Sequence, residues 1–222
     1  MSWWKRAFDL AVGVPALAAA SPVIAGLALA VKLDSKGPAF FAQTRVGRGG
    51  RPLRLYKLRT MVPNAPSLGP AVTAAGDPRV TRVGRLLRLT KLDELPQLLN
   101  VVRGEMSIVG PRPEAERYVR LYKPEWLRLL EVRPGITDLA SLTFRHEEEL
   151  LSKADDRERA YVEAVLPAKL SLALEGVDRS SPLFDLSVIA RTFASVVGRG
   201  GNPHPALDQA ERSIDSLNRM KA

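Results

Sequence analysis

Apolar and polar positions divide the chain into two unlike parts. From Leu10 to Val31 no residue is charged, and these 22 positions are long enough to cross a bilayer core as one helix. Pro15 and Pro22 interrupt the run. Pro22 removes a backbone donor and pushes Ser21 away from helical geometry, and the Ser21 hydroxyl can cover a freed carbonyl. Both flanks are positive, with Lys5 and Arg6 before and Lys32 and Lys36 after. The positive-inside bias then keeps both ends in the cytoplasm. A re-entrant helix broken at Ser21-Pro22 meets both constraints, with Trp3 and Trp4 at headgroup level. On the segment alone, a kinked span, a cleaved signal peptide and a buried core helix stay open.

The rest of the chain carries short periods. Ala39–Ala42 and the alternating Leu53–Leu58 read as two strands around a glycine-rich loop. Residues 61–77, rich in Pro, Gly, Ala and Ser, read as a flexible loop. Helical spacing predicts helices over Arg82–Leu89, Glu94–Val102, Glu114–Glu131 (broken at Pro124), Glu147–Val165, Ala168–Glu175 and Leu183–Val197. Pro111-Arg112-Pro113 makes a rigid corner. After Gly200 the sequence turns polar and reads as a loose tail. The expected fold class is α/β, mostly helical with a small sheet. Residues 1–200 form one domain, and 201–222 form the tail.

Composition narrows the chemistry. Among 222 residues there is no cysteine and there are only two histidines, which excludes disulfide scaffolds and Cys- or His-based metal centres. The net charge is +9, yet eleven basic residues lie between Ala42 and Lys91 with only Asp77 against them. Such a block suits polyanions: nucleic acid, anionic lipid or phosphorylated substrates. His146, beside Glu147, Glu148 and Glu149, reads as a surface residue.

Candidate chemistry gathers around Asp93-Glu94. Pro96 shortly after them places a helix start near Asp93, so Asp93 is either a plain N-cap or a carboxylate at an anion-binding site. With Glu94 it could hold a divalent cation and a pyrophosphate. Arg82, Arg85 and Arg88 share one helical face, either solvated or facing lipid or phosphate. Arg112, fixed between prolines, suits bidentate phosphate contact or is an exposed turn residue. Lys57 and Arg59, at a strand end, face the same site or protect a sheet edge.

Together these stretches resemble the bacterial sugar transferases, the small monotopic phosphoglycosyl transferases. The pieces are Lys5-Arg6 with the Ser21-Pro22 segment, Tyr56–Met61, Thr81–Arg88, Lys91–Val101, Gly104–Pro113 and Arg133–Thr137. Glu105 stands where that family more often has Asp, and Asp138-Leu139-Ala140-Ser141 replaces its commoner Gly-Trp/Leu-Ala-Gln wording. The resemblance implies a membrane-associated monotopic fold. Residues 1–36 would form the re-entrant helix, and 37–200 a cytosolic part with interfacial helices. It implies transfer of a phosphosugar from a UDP-sugar to undecaprenyl phosphate with release of UMP and with Mg2+ as cofactor. This would be the first membrane step of a glycoconjugate pathway, on the cytoplasmic face of the bacterial inner membrane. Asp93 would be the nucleophile, Glu94 a base or metal partner beside it, and Lys57, Arg59, Arg88 and Arg112 phosphate holders. Anionic lipids would be partners and nucleic acid would not. The alternative is a non-catalytic basic module that binds membranes or nucleic acid.

Overall fold

The computed structural model describes residues 3–69, 72–196, 198 and 204–219. Helix α1 (Trp3–Asp34) leads into an antiparallel hairpin of β1 (Phe40–Val46) and β2 (Pro52–Leu58), with Phe40 opposite Leu58 and Val46 opposite Pro52. A single turn, α2 (Ala65–Leu68), precedes α3 (Arg82–Thr90). A 3-10 turn over Leu92–Gln97 runs into α4 (Leu98–Arg103) and then β3 (Ser107–Val109). The short α5 (Glu116–Val119) and a 3-10 stretch over Pro124–Glu131 connect to β4 (Gly135–Thr137), which pairs in parallel with β3. Helices α6 (Leu139–Thr143), α7 (Glu147–Ser152) and α8 (Arg157–Ala160) follow. A π-helical turn over Tyr161–Val165 joins α8 to α9 (Leu166–Asp178). The last helices are α10 (Pro182–Val196) and α11 (Pro205–Arg219).

The mostly helical architecture with a small sheet agrees with the sequence reading, and the hairpin lies where alternation placed it. Several boundaries differ. The helix expected over 114–131 with a break at Pro124 is two short pieces: α5 already ends at Val119, and the second is a 3-10 stretch that Pro124 opens, where its missing donor costs nothing. The expected helix over 147–165 stops after Ser152 and restarts where Asp156 accepts the Arg159 N–H at 3.0 Å. The segment 61–77 is less open than its composition suggests. Met61 bridges to Val80, and the buried Arg79 pairs with Asp77 and donates to the Ala65 carbonyl at 3.2 Å. The polar tail contains α11, which buries Ala210 and Ile214 against the core, so that stretch is a docked amphipathic helix.

Helix α1 continues through both prolines, so the expected break at Ser21-Pro22 does not end the helix. The Ser21 hydroxyl donates to the Leu17 carbonyl at 2.7 Å, one residue before the carbonyl that Pro22 leaves free. Its two ends are tied to the same body. At the N-terminal end, Arg6 donates to the carbonyls of Val101 (2.7 Å) and Val102 (2.8 Å) at the end of α4. Asp9, fully buried, accepts from the Ser107 hydroxyl at 2.8 Å and the Ile108 N–H at 3.0 Å. Lys5 pairs with the buried Asp185 on α10. At the C-terminal end, Val31 packs with Ala39, Leu58 and Leu87, and Asp34 accepts the Val83 N–H at 3.1 Å. Between these anchors Val14, Val23 and Leu29 are exposed.

The main core lies between the β3–β4 pair and α6, α8–α9, α10 and α11, and includes Met106, Leu151, Val165, Leu166, Val188 and Ile214. Gly84 lets α3 sit directly on the chain after β2. A Cβ there would lie 2.0 Å from the Thr60 carbonyl oxygen, closer than any side chain can approach backbone.

Candidate active site

Chain reversals deliver the charged groups. Lys91 adopts φ 58°, the left-handed conformation that ends a helix, and turns the chain from α3 straight into the 3-10 turn. Asp93 and Glu94 thereby sit in its first positions. The end of β2 supplies Lys57, and the Pro111-Arg112-Pro113 corner supplies Arg112. That corner is held through its backbone. Gly110 donates to Thr137 at 3.0 Å, Gly135 donates to Pro111 at 2.9 Å, and Val46 donates to Glu114 at 2.9 Å.

Glu94 is buried and receives three donors. Lys57 Nζ lies 3.0 Å from Oε1 and Arg112 Nη1 lies 3.0 Å from Oε2, while Arg112 Nη2 also donates to Oε1. Burial works to raise this carboxyl, but the Arg112 and Lys57 charges outweigh it and hold it well below the usual carboxylate range. The Arg112 guanidinium is in turn held more firmly protonated by Glu94.

Asp93 has the opposite balance. It is buried, and its Oδ1 has no hydrogen-bond partner. Burial pushes its carboxyl up, Lys57 opposes that, Glu94 adds to it, and Lys91 and Arg88 oppose it further. A buried, unpartnered carboxylate oxygen beside cations is costly for folding. Such groups occur where chemistry requires them. Lys91, not Asp93, occupies the N-cap position of this turn, so the reading of Asp93 as a plain N-cap does not hold. A helix start does not supply the anion-binding site either, because Asp93 sits in the first turn of a 3-10 stretch and α4 is only six residues long.

The structure brings Asp93, Glu94, Lys57 and Arg112 together. Arg88 is near enough to act on Asp93, but its guanidinium donates to the Thr60 hydroxyl at 3.0 Å and to Glu148 at 2.7 Å. Arg59 is a correction. Its guanidinium is buried and donates to the carbonyls of Lys36 (2.7 Å) and Ser35 (2.9 Å), clamping the exit of α1. It is committed there and does not face the carboxylates. Among the described residues no cluster of three acidic or histidine side chains forms a metal site. The free Asp93 Oδ1 fits a magnesium ion that takes one carboxylate and completes its shell with phosphate and water. Glu94 as arranged does not fit as a ligand, since cations occupy both its oxygens.

Sequence reasoning passed over several buried polar residues. Asn100 accepts the Tyr56 N–H at 3.3 Å and donates to Arg54 (2.8 Å) and Glu105 (2.6 Å), tying α4 to β2. Glu114, Tyr161, Lys169 and Glu147 form a charged network behind the Arg112 corner. The only linear signal for it was Glu114 following Pro113. A cavity of about 250 Å³ adjoins Pro111, lined also by Trp4, Lys5, Asp138 and Phe184. Neither Asp93, Glu94 nor Lys57 lines it, so charge rather than enclosure defines the candidate site.

A family model described as "Bacterial sugar transferase" matches residues 1–199. The chain is 49% identical over 143 residues to a UDP-glucose:undecaprenyl-phosphate glucose-1-phosphate transferase of Caulobacter vibrioides, covering 62% of this chain and 53% of that protein. An Escherichia coli protein of the same name is 40% identical over 193 residues, covering 85% of this chain and 39% of its own length. The Rhizobium leguminosarum "Exopolysaccharide production protein PSS" is 38% identical over 203 residues, covering 88% of this chain and 96% of its own. The chain thus spans about half or less of the first two relatives.

Proposed function

The chain belongs to the bacterial sugar transferase family, and from that premise we propose that it transfers a phosphosugar from a UDP-sugar to undecaprenyl phosphate through a covalent intermediate on Asp93. The carrying observation is the unpartnered Asp93 oxygen, buried beside Lys57, Lys91 and Arg88. A carboxylate oxygen of Asp93 attacks the β-phosphorus of the donor. The bond from that phosphorus to the bridging oxygen breaks, and UMP leaves with the electron pair. A phosphate oxygen of the polyprenyl acceptor then attacks the same phosphorus and releases the Asp93 carboxylate, giving the diphosphate-linked sugar. Splitting one hard transfer into two lowers each barrier. Arg112 and Lys57 take up donor phosphate oxygens as Glu94 gives them up, which neutralises charge where two anions must meet. Glu94, once freed, serves as base or second carboxylate. Mg2+, held by Asp93 and donor phosphates, would supply further charge neutralisation. A screen of UDP-hexoses and UDP-N-acetylhexosamines with undecaprenyl phosphate tests this: one donor should release UMP only with active chain, and release from none would reject the reading.

The alternative of a non-catalytic polyanion-binding module is disfavoured by four members of the basic block, although Arg48, Arg51, Arg54, Arg82 and Arg85 are exposed. Lys57, Arg59, Arg79 and Arg88 all bond inward to protein groups. A module for nucleic acid would present them outward.

The proposed setting is the inner membrane, with α1 entering and leaving by the cytoplasmic face. The two anchored ends of α1 support this, because a bilayer core about 30 Å thick would pull apart contacts that belong to one packed body. The exposed Leu183, Leu186 and Phe193 of α10, and Leu86 and Leu89 of α3, suit an interfacial position. The chain has no cysteine, so single replacements report cleanly. Trp3→Cys and Lys36→Cys should both react with an impermeant thiol reagent in inverted vesicles and neither in intact spheroplasts. Labelling from opposite sides would establish a span.

The carboxylate pair also fixes a pH dependence. Asp93 reacts only when ionised, and its value lies above the ordinary 3.8. The acid limb of kcat/KM should therefore fall above pH 3.8, and Lys57→Met, which removes a lowering charge, should move it higher. An acid limb at or below the ordinary value would exclude Asp93 as the titrating group. Glu94 runs the other way. Its depressed value stabilises the fold at pH above the ordinary 4.5, and that stability is lost as pH falls through the depressed value.

A further inference from the structure

We infer that Glu114, set by Tyr161 and Lys169 across a π-helical turn, is a positioning residue that aims Arg112 at the donor's diphosphate. The inference rests on the proposed function and adds residues to it. Glu114 directly follows the Pro111-Arg112-Pro113 corner and is buried. Its Oε1 accepts from the Tyr161 hydroxyl at 2.9 Å and lies 3.6 Å from Lys169 Nζ, and its Oε2 lies 3.6 Å from Arg45. Its carbonyl accepts the Val46 N–H at 2.9 Å. Both the side chain and the backbone of the residue after the corner are therefore fixed, and the prolines transmit that restraint to Arg112 with few free torsions.

The π turn explains how the restraint is built. Tyr161 and Lys169 are eight residues apart, a separation that sets two side chains about 80° apart around a regular α-helix. A π turn absorbs one extra residue, so the step acts as about seven, close to two full turns. Both side chains then reach Glu114, with Lys169 Nζ only 3.5 Å from the Tyr161 hydroxyl. Lys169 is further paired with Glu147 at 2.7 Å. Burying a lysine, a tyrosine and a glutamate together, with Glu147 half-buried at their edge, is costly compared with an apolar core of the same volume. A network retained at that cost behind a phosphate-binding arginine is accounted for by its effect on that arginine. Glu114 also acts electrostatically, as one of the anions that keep the Arg112 charge in place.

The test is a double-mutant cycle on UDP binding, using Tyr161→Phe with and without Arg112→Ala in the purified full chain. Tyr161→Phe keeps the ring against Tyr118, whose centroid is 4.7 Å away, so the fold should survive, with a melting temperature lowered only by the loss of one hydrogen bond to the buried Glu114. With Arg112 present, UDP affinity should fall about tenfold, the scale of one hydrogen bond to a charged group. With Arg112 already removed, Tyr161→Phe should cause no further loss, because its effect passes through that side chain. Glu114→Gln should follow the same pattern, and Glu114→Asp, which keeps the charge, should recover part of the affinity. Equal losses in both backgrounds, or no loss when Arg112 is present, would overturn the inference. If the wild-type chain binds no UDP, the proposed function itself fails, and that appears in the first arm alone.

Discussion

Replacing Asp93 with Asn is expected to cut turnover by about four orders of magnitude or more, the scale seen when a nucleophile is removed. The change is nearly isosteric, and an amide oxygen cannot form the acyl phosphate. The same substitution should leave the folded state at least as stable as before. Asp93 is buried, its Oδ1 has no partner, and burial raises its carboxyl. Its charge therefore opposes folding at neutral pH, and the neutral amide removes that cost. Activity and stability should move in opposite directions, as expected of a group retained for chemistry. A variant that lost activity together with its melting temperature would instead point to a structural role. Circular dichroism melts beside UMP-release rates distinguish the two.

Glu94→Gln should produce a different signature, a loss of turnover with a gain in nucleotide affinity. In the resting protein the Glu94 carboxylate occupies both Arg112 and Lys57, the cations assigned to the donor phosphates. The diphosphate must therefore displace an internal anion before it can bind. A neutral amide releases those cations, so UDP should bind about tenfold more tightly, corresponding to one charged contact no longer displaced. Turnover should nevertheless fall by about 10²- to 10⁴-fold, the usual contribution of a base. The fold should also weaken at neutral pH, because the depressed Glu94 carboxyl stabilises the native state there. UDP titration by calorimetry reads the first effect directly. Unchanged or weaker UDP binding by Glu94→Gln would show that Glu94 does not compete with phosphate for Arg112.

The sequence carried more of this than its propensities alone would suggest. The hairpin, the helix over residues 82–90 and the Pro111–Pro113 corner were all legible, because alternation, spacing and proline are local signals. Asp93, Glu94, Lys57 and Arg112 were picked out from three separate segments, and the structure gathers them. Arg59 was misread because it stands two residues from Lys57 in sequence. The strand alternation ends after Leu58, and the buried Arg59 turns to the Ser35 and Lys36 carbonyls instead. The β3–β4 pair was missed because each strand is three residues long and their parallel pairing spans a distant connection. The Glu114–Tyr161–Lys169 network was invisible for a related reason. Its alignment depends on a π turn, and helical templates assume 3.6 residues throughout. The continuous course of α1 through Pro22 shows the limit of proline as a signal in a long apolar helix, where neighbouring groups can accommodate the missing donor.

The central claim is that the phosphosugar rests on Asp93 between two half-reactions. The most direct measurement is a rapid-quench reaction of the purified chain with its UDP-sugar and Mg2+ in the absence of any polyprenyl phosphate. The account predicts a burst of UMP close to one equivalent per chain, with the mass of a phosphosugar on the peptide that carries Asp93. The Asp93→Asn chain should give neither. UMP release that begins only when undecaprenyl phosphate is added, with no burst before it, would contradict the covalent mechanism and require direct transfer between the two substrates.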